Sequence, residues 1–279
     1  MSGWGGNSSP LRPGNRGPAS CTGEGEVGVV EVSAPVAEVF YSVQGEGPLA
    51  GVPQIFVRLR GCDLDCLYCD TPEARSMDGP ARLQSPCGRE WVEVSNPVSL
   101  GAVMDHVEAL RGARPAAAIH SVALTGGEPL LHLSFCEALA AALVARDLPL
   151  YVETAGHLPE AIARISPLSG WVAMDLKLPS TMVTPVPVER FAASARVCAA
   201  DLIVKVVVTD AVTDAEFQEA LATLAAARRD LTLVLQPVTP ACGISPPEPL
   251  RLLDLLARAA ESFADVRLMP QCHRLLHLP

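Results

Sequence analysis

Short apolar segments alternate with helix-length segments through most of this 279-residue sequence, and this alternation constrains the fold more than any other feature. The apolar segments cover 53–60, 120–124, 150–153, 171–176, 202–208, 231–236 and 266–269. Helical patterns cover 100–111, 133–146, 160–165, 189–200, 214–228 and 248–263. Nearly continuous apolar strands separated by helices are typical of a parallel sheet that is covered on both faces. The sequence therefore predicts an α/β fold, an incomplete (partial TIM-like) parallel β/α barrel of about six βα units.

The ends and interruptions of this pattern predict the domain organisation. Residues 1–30 are rich in Gly, Ser and Pro and lack the apolar core of a signal peptide, so we expect a flexible tail. Residues 31–279 are expected to form a single domain, and the Gly, Pro, Ser and Asn residues of 70–97 predict an irregular insertion.

Charge and hydropathy bear on the partners and the location. A net charge of -10 gives no broad basic field, so no nucleic acid is expected as a partner. No apolar run approaches the ~20 residues that a bilayer requires, which predicts no membrane span and a cytoplasmic protein. Because no secretion signal is evident and the cysteine count of 9 is odd, a disulfide framework is not expected either.

Cys62, Cys66 and Cys69 are the cysteines whose spacing suits a metal centre. Structural zinc usually takes four ligands, whereas an iron–sulfur cube with three cysteines leaves one iron open for chemistry. An electron carrier normally closes its cluster with a fourth ligand. Cys87 could be such a ligand, so zinc binding and electron transfer remain alternatives to catalysis.

Polar residues follow the predicted strands, where parallel α/β proteins place their ligands. They are Arg58, the segment 125–128, Glu153 and Thr154, the segment 175–177, Lys205, and Gln236 with Pro237. This arrangement predicts one shared site at the carboxyl ends of the strands.

Two motifs resemble those of radical S-adenosylmethionine (SAM) enzymes. Cys62-x3-Cys66-x-Tyr68-Cys69 has the spacing of the family's cysteine signature, and the sequence TGGEP at 125–129 resembles its "GGE" element. The resemblance implies a radical SAM barrel with a [4Fe-4S] cluster whose open iron chelates the methionine end of SAM. One electron then cleaves SAM to a 5′-deoxyadenosyl radical.

A longer stretch narrows the resemblance. The sequence FYSVQGEG at 40–47, followed by FVRLRGCDLDCLYCDT at 56–71, is similar to the 7-carboxy-7-deazaguanine synthase family. The likeness continues through ETAG at 153–156 to QCHR at 271–274 and the terminal proline. It implies ring contraction of 6-carboxy-5,6,7,8-tetrahydropterin to 7-carboxy-7-deazaguanine with release of ammonia, on the route to queuosine and other 7-deazapurines. It also implies a flavodoxin-type reductant, Mg²⁺ and a homodimer.

The resemblance assigns roles to individual positions of this sequence. The pterin substrate is expected to contact Val43, Gln44, Gly45, Arg58, Thr125 and Pro279. SAM is expected to contact Gly127, Glu128, Asp175, Leu176, Lys177, Gln236, Pro237, Val238 and Thr239. Thr71 is expected to help bind Mg²⁺, a hard cation that prefers oxygen ligands. This sequence departs from the family at two of these places. Asp175-Leu176 stands where many relatives have Ser-Pro, and Val238-Thr239 follows Gln236-Pro237 where acidic residues are commoner.

Simpler interpretations exist for several of these residues. The segment QGEG could be only a turn, Arg58 could pair with a surface acid, Lys177 could be a solvated charge and Thr71 could cap the next turn. At the level of the whole chain, the alternatives are another radical SAM enzyme such as a glycyl-radical activase, or a non-catalytic iron–sulfur or zinc module. Activases often carry further ferredoxin-like cysteine sets and lack the QGEG segment.

Overall fold

A ten-stranded sheet organises the chain in the computed structural model, which describes residues 31–115, 118–240 and 243–279. The predicted tail 1–30, with Cys21, and also Cys242 lie outside the described residues. The strands are β1 (Ser33–Ala34), β2 (Val36–Val43), β3 (Pro53–Leu59), β4 (Ala81–Gln84), β5 (Trp91–Val94), β6 (Val98–Ser99), β7 (Ser121–Gly126), β8 (Leu150–Thr154), β9 (Trp171–Asp175), β10 (Asp201–Val208), β11 (Thr232–Pro237) and β12 (Asp265–Leu268). The helices are α1 (Leu100–Gly112), α2 (Leu133–Val144), α3 (Pro159–Ile165), α4 (Val188–Val197), α5 (Asp214–Ala227), α6 (Pro249–Ala260) and α7 (Cys272–Leu276).

The parallel part of the sheet confirms the predicted fold class. Strand β3 and strands β7 to β12 lie side by side and are parallel throughout, and they match the seven apolar segments of the sequence. Among the described residues, the edge strands β5 and β12 share no backbone hydrogen bonds, so the barrel stays open. None of the described helices is long and apolar enough to span a membrane.

The segment 70–97 contains more regular structure than its composition indicates. Strands β4 and β5 form an antiparallel hairpin, and β4 also pairs with β2. Both strands are only four residues long and are flanked by Pro, Gly and Ser, so their alternation is too short to stand out in the sequence. The predicted irregular insertion thus extends the sheet beyond its antiparallel strand β2.

Side chains alternate between two faces of the parallel strands. The outer set packs under the helices and forms the main apolar core, with fully buried members such as Val122, Leu124 and Val172. The inner set forms a second layer inside the barrel, which comprises Phe40, Phe56, Ala123, Tyr151, Ala173, Ile203 and Val234. Because this layer is apolar and filled, it closes one end of the barrel and leaves the other end for polar residues.

Local capping fixes where two of the covering helices begin. The Ser99 hydroxyl accepts a hydrogen bond from the Ala102 amide at the start of α1. Thr213 and Glu216 form a reciprocal capping box at the start of α5. Such caps satisfy amide donors that the first helical turn leaves free. They therefore help to define the βα connections on which the site depends.

Candidate active site

A cavity of about 500 Å³ opens at the carboxyl ends of the parallel strands. Its polar lining follows from the two-residue period of the strands, since each polar residue comes two positions after a member of the inner apolar layer. The pairs are Phe56 and Arg58, Ala123 and Thr125, Tyr151 and Glu153, Ala173 and Asp175, Ile203 and Lys205, and Val234 and Gln236. The predicted shared site therefore exists as one cavity.

Most residues that the sequence assigned to the site line this cavity. They are Val43, Gln44, Gly45, Arg58, Cys62, Cys66, Cys69, Thr71, Thr125, Gly127, Asp175, Lys177, Gln236, Val238, Thr239 and Pro279. Glu128, Leu176 and Pro237 do not line it. Leu176 and Pro237 each stand one position after an inward residue, so the strand period turns their side chains to the other face.

Glu128 is fully buried beside the cavity, where its carboxylate joins two loops. It accepts hydrogen bonds from the Ala155 amide at 2.7 Å and from the Thr154 hydroxyl at 2.9 Å. Burial raises the pKa of this carboxyl above its ordinary value, although the amides of Leu130 and Ala155 oppose the shift. The Glu128 side chain thus braces the loops after β7 and β8, and the expected contact of this residue with SAM stays a prediction.

The cysteine loop begins directly after β3 and presents three free thiols to the cavity. Burial raises the pKa of Cys62 and of Cys66, while the nearby Lys177 ammonium acts in the opposite direction on Cys66. Partly buried thiols beside a cation fit a thiolate-bound cluster, because thiolates are the ligands of iron–sulfur centres. Among the described cysteines, neither Cys87 nor Cys272 lines the cavity.

Gly127 allows the loop after β7 to press against the start of the cysteine loop. A Cβ atom at this position would lie 2.3 Å from the Gly61 carbonyl oxygen and 2.8 Å from the Cys62 Cβ atom. The neighbouring amide of Glu128 donates to the same Gly61 oxygen at 2.8 Å. Since backbone atoms cannot move aside cheaply, only glycine fits this contact.

We expect Gly127→Ala to lower the free energy of unfolding by roughly 1–3 kcal/mol, because overpacking a tight site forces backbone shifts. The shift falls on Gly61 and Cys62, so the reconstituted variant should also hold less iron. Gly112→Ala is the matched control, because a Cβ atom there meets nothing within 4 Å. Equal iron content and equal stability of the two variants would contradict this account of the contact.

Four charged side chains form a buried network across the cavity floor. Asp175 contacts Lys177 at 2.7 Å and Lys205 at 3.1 Å, and Lys205 also pairs with Glu46. Burial alone would raise the pKa of Asp175, but the two ammonium groups outweigh it and lower this pKa to about 2. The same pairs hold the pKa of both lysines well above the ordinary value despite their burial. All four groups are thus charged at neutral pH, and the only two lysines of the chain are both in this network.

Lys177 also connects this network to the cysteine loop. Its ammonium lies 5.1 Å from the ring centroid of Tyr68, within the range of a cation–π contact. The pKa of the Tyr68 hydroxyl is raised by burial, and this oxygen has no hydrogen-bond partner among the described residues. Lys177 is therefore a structural charge in the site and not a solvated one.

Glu153 connects two residues that were assigned to the substrate. Its carboxylate accepts hydrogen bonds from the Gln44 side-chain amide at 2.8 Å and from the Thr125 hydroxyl at 2.7 Å. The Gln44 amide also donates to Gln54 and accepts from the Glu46 backbone, so this glutamine is held rigidly. The segment QGEG is consequently more than a turn, because its side chains reach across the cavity.

Arg58 lies beside Thr125 in the register of β3 and β7, with its guanidinium above the Phe40 ring at 5.7 Å. Its Nε atom is 3.4 Å from a Glu38 oxygen, and that buried nitrogen has no hydrogen-bond partner in the described part of the chain. Glu38 is shared with the more exposed Arg82. Arg58 thus pairs with an acid, as the simpler interpretation supposed, and still faces the cavity.

The C-terminal segment covers the cavity. The Cys272 amide donates to the Gly45 oxygen at 2.7 Å, and the Ser42 hydroxyl donates to the Pro279 backbone oxygen at 3.0 Å. A Cβ atom at Gly45 would overlap the His273 imidazole, with only 1.9 Å to Nδ1. Glycine at this position therefore lets the C-terminal helix α7 approach strand β2.

Oxygen and nitrogen donors converge near Thr71. Ligand atoms of Glu46, Asp70 and His273 lie within 4.8 Å of one another, and Asp70 is the direct neighbour of Thr71. The Thr71 side chain makes no capping hydrogen bond to the short helical turn that follows it. The Glu46 and Asp70 carboxylates of this group are oxygen ligands of the kind that a hard cation such as Mg²⁺ prefers.

Several cavity residues were not assigned from the sequence. Glu46, Asp70, Glu153, Lys205, Gln271 and His273 all line the cavity. In the sequence, Glu153 and Lys205 are recognisable only as polar residues at strand ends. Each stands two positions after an inward apolar residue, and this spacing is the signal that could have assigned both to the cavity. Gln271 joins Glu46 at 2.7 Å and Asp70 at 3.1 Å, which are contacts between residues more than 200 positions apart.

Comparisons with known proteins identify the family of this chain. The family model of the Radical SAM superfamily matches residues 56–229. A 7-carboxy-7-deazaguanine synthase from Geobacter sulfurreducens is 38% identical over 249 residues, which cover 87% of this chain and 97% of that protein. A 7-carboxy-7-deazaguanine synthase from Methanopyrus kandleri is 35% identical and covers 86% of this chain and 92% of its own length.

A solved structure shares the fold. The crystal structure of QueE from Escherichia coli superposes with a TM-score of 0.54 at 24% identity, covering 86% of this chain and 95% of the other. The residues matched by the family model contain the cysteine loop, and the two synthases named above match over 97% and 92% of their own lengths. The chain therefore belongs to the radical SAM superfamily and, within it, to the 7-carboxy-7-deazaguanine synthase family.

Proposed function

We propose that this protein contracts the ring of 6-carboxy-5,6,7,8-tetrahydropterin to 7-carboxy-7-deazaguanine, with release of ammonia. The observation that carries the proposal is a single cavity lined both by the three-cysteine loop and by the connected side chains of Gln44, Glu153 and Thr125. A radical generated at the cluster would meet a polar heterocycle held in the same cavity. The family of the chain is that of a catalytic synthase, which sets aside a glycyl-radical activase and a non-catalytic iron–sulfur or zinc module.

The substrate roles follow from the contacts of each side chain. Arg58 offers a planar, two-pronged donor to the substrate carboxylate, and its place in the cavity lining supports this role. Glu153 offers carboxylate oxygens to the N–H groups of the pterin, with Gln44 and Thr125 holding it in position. Val43 and Gly45 contribute backbone atoms at the same edge, and Pro279 closes the cavity with the end of the chain.

The cluster and SAM, when bound, supply the one-electron chemistry that generates a carbon radical. Cys62, Cys66 and Cys69 would hold the cluster, and Gly127 lines the cavity beside this loop, where its backbone would contact SAM. Asp175, Lys177, Gln236, Val238 and Thr239 line the cofactor side of the cavity. The Thr71 hydroxyl, with the Asp70 carboxylate beside it, would provide oxygen ligands for Mg²⁺.

We also infer a flavodoxin-type reductant, a homodimer and a cytoplasmic location. Leu67 is 45% exposed on the cysteine loop and offers an apolar contact beside the place where an electron must enter. The free state of the seven described cysteines supports a reducing compartment. The homodimer rests on the resemblance to the family.

Anaerobic reconstitution of the cluster, followed by incubation with SAM, dithionite and the pterin, tests the proposal. We expect 7-carboxy-7-deazaguanine as the product, detected by mass spectrometry. Efficient formation of 5′-deoxyadenosine without the deazaguanine would assign the enzyme a different substrate. Failure of the chain to take up a cluster would contradict radical chemistry altogether.

Arg58→Ala is expected to leave the iron content unchanged and to raise the KM for the pterin about tenfold to a hundredfold. This range corresponds to the ~1.5–3 kcal/mol typical of a hydrogen bond to a charged group. Steady-state kinetics at saturating SAM would measure the effect. Arg82→Ala is the matched control, because Arg82 also contacts Glu38 but does not line the cavity. An equal rise in KM for both variants would assign the effect to Glu38 and not to substrate binding.

A further inference from the structure

The cysteine loop is held to its neighbours by the three residues that separate its first two cysteines. Asp63, Leu64 and Asp65 fill the spacing between Cys62 and Cys66. Of the three, only Leu64 lines the cavity. The carboxylates of the two aspartates instead contact neighbouring loops. Binding of a cluster by the three cysteines does not by itself need these contacts.

Asp65 binds the loop that follows β9 through both carboxylate oxygens. One oxygen accepts from the Thr184 amide at 3.0 Å and the other accepts from the Thr184 hydroxyl at 2.8 Å. The backbone adds to this clamp, since the Val183 amide donates to the Asp65 oxygen at 3.2 Å. Next to it, Cys66 forms an isolated antiparallel bridge with Met182. The segment 182–184 thus lies beside the middle of the cysteine loop and is joined to it by one bridge and by the Asp65 contacts.

Asp63 binds a different loop, the one that follows β8. Its carboxylate lies 2.9 Å from the His157 Nε2 atom, and the side chain of His157 is only 6% exposed. His157 is itself held by Arg190 of α4, whose Nε donates to the His157 backbone oxygen at 2.9 Å. Asp63 therefore reaches a histidine that is fixed in the core.

Leu64 completes the attachment between the two aspartates. It is 6% exposed and packs with Ala155 and Met182, one from each of the two neighbouring loops. Cys62 and Cys66 pack against the same apolar group. All three residues of the spacing thus contact the loops after β8 and β9, and the two cysteines on either side are held at a fixed separation.

From these contacts we propose that Asp63 and Asp65 are positioning residues, which hold the cysteine loop in its cluster-binding conformation through His157 and Thr184. A loop of this length would otherwise lose ~1–2 kcal/mol of conformational entropy per ordered residue when it closes around a cluster. Because the clamps order the loop in advance, they reduce the rate at which a bound cluster exposes its iron. The inference rests on the part of the proposed function that places a cluster on the three cysteines and is independent of the substrate.

The test is the rate of iron loss from the anaerobically reconstituted enzyme after addition of a ferrous chelator, followed by the visible absorption of the cluster. We expect Asp65→Ala to lose iron about tenfold faster than the parent, a factor that corresponds to about 1.4 kcal/mol. Thr184→Val, which removes one of the two bonds, should lose iron faster by a smaller factor. The double variant should be no faster than Asp65→Ala, because both changes remove the same interaction. Thr184→Ser keeps the hydroxyl that Thr184→Val removes, so this variant should lose iron at the rate of the parent.

A second readout separates positioning from general loss of stability. The electron paramagnetic resonance spectrum of the reduced cluster should change less on addition of SAM in Asp65→Ala than in the parent, at equal cluster content. Asp78→Ala is the matched control, since Asp78 is exposed in the segment 70–97 and does not line the cavity. It should match the parent in both measurements.

The outcomes distinguish this inference from the proposed function. A parent enzyme that takes up no cluster would overturn both. A parent that holds its cluster, while Asp65→Ala loses iron at the same rate and responds to SAM equally, would overturn the positioning role alone. Strictly additive effects of Asp65→Ala and Thr184→Val would also overturn it, because the two residues would then act separately.

Discussion

Replacement of Cys66 by alanine is expected to abolish cluster loading. The resemblance to this family implies that three thiolates are the full protein ligand set of the cluster, and Cys66 is the central one, packed against the apolar group of Leu64 on the loop that lines the cavity. Two remaining thiolates leave two irons without protein ligands. Iron and sulfide analysis after anaerobic reconstitution should therefore give values close to background, with no product formation.

Cys87→Ala is the control for this variant. Cys87 is exposed, contacts Ser85 in the hairpin between β4 and β5 and lies outside the cavity lining. Its replacement should leave the iron content and the turnover unchanged. Loss of the cluster in Cys87→Ala would show that this cysteine is a fourth ligand, and full loading of Cys66→Ala would contradict the assignment of the three-cysteine loop.

Lys205→Met is expected to cause the largest loss of stability among the polar residues of the cavity. The change keeps a side chain of similar length but leaves the buried carboxylates of Glu46 and Asp175 without their shared cation. Removal of one partner from a buried ion pair costs about 3–5 kcal/mol. Because Asp175 retains Lys177 and Glu46 retains Gln271, we expect the lower end, about 3 kcal/mol. In a chain of this size that corresponds to a decrease in Tm of roughly 6–12 °C.

The matched control is Arg164→Met, which removes a cation from a pair on the surface. Arg164 contacts Glu137 with its own side chain 59% exposed, and exposed pairs contribute ~0–1 kcal/mol. Thermal and urea denaturation of both variants would measure the difference. Equal destabilisation would mean that the network in the cavity contributes no more than a solvated pair.

Much of the fold could be predicted because the hydrophobic pattern determines it directly. Each of the seven parallel strands appeared as a short apolar run, and each of the helices α1 to α6 matched a helical pattern. The cysteine loop and the segment 125–129 were recognisable because their chemistry requires fixed residue types at fixed spacing. The strand rule then brought Arg58, Thr125 and Asp175 to one end of the sheet.

Other features depend on tertiary contacts that a single sequence does not reveal. The contacts of the Glu128 carboxylate with the Thr154 hydroxyl and the Ala155 amide could not be predicted, because they join two separate loops. The pairing of Lys205 with Glu46 joins residues 159 positions apart. The hairpin of β4 and β5 has strands too short for a clear periodicity. In each case a long-range contact, and not local propensity, decides the structure.

If this chain uses SAM to contract a pterin ring, the ratio of product formed to SAM consumed should show it. In the proposed reaction SAM is regenerated after each turnover, so limiting SAM should support many molecules of 7-carboxy-7-deazaguanine for each SAM lost. The measurement requires the reconstituted enzyme, dithionite, excess pterin and quantification of SAM, 5′-deoxyadenosine and the deazaguanine. We expect deazaguanine well in excess of the SAM supplied, with little free 5′-deoxyadenosine. Stoichiometric loss of SAM to 5′-deoxyadenosine with no deazaguanine formed would contradict it.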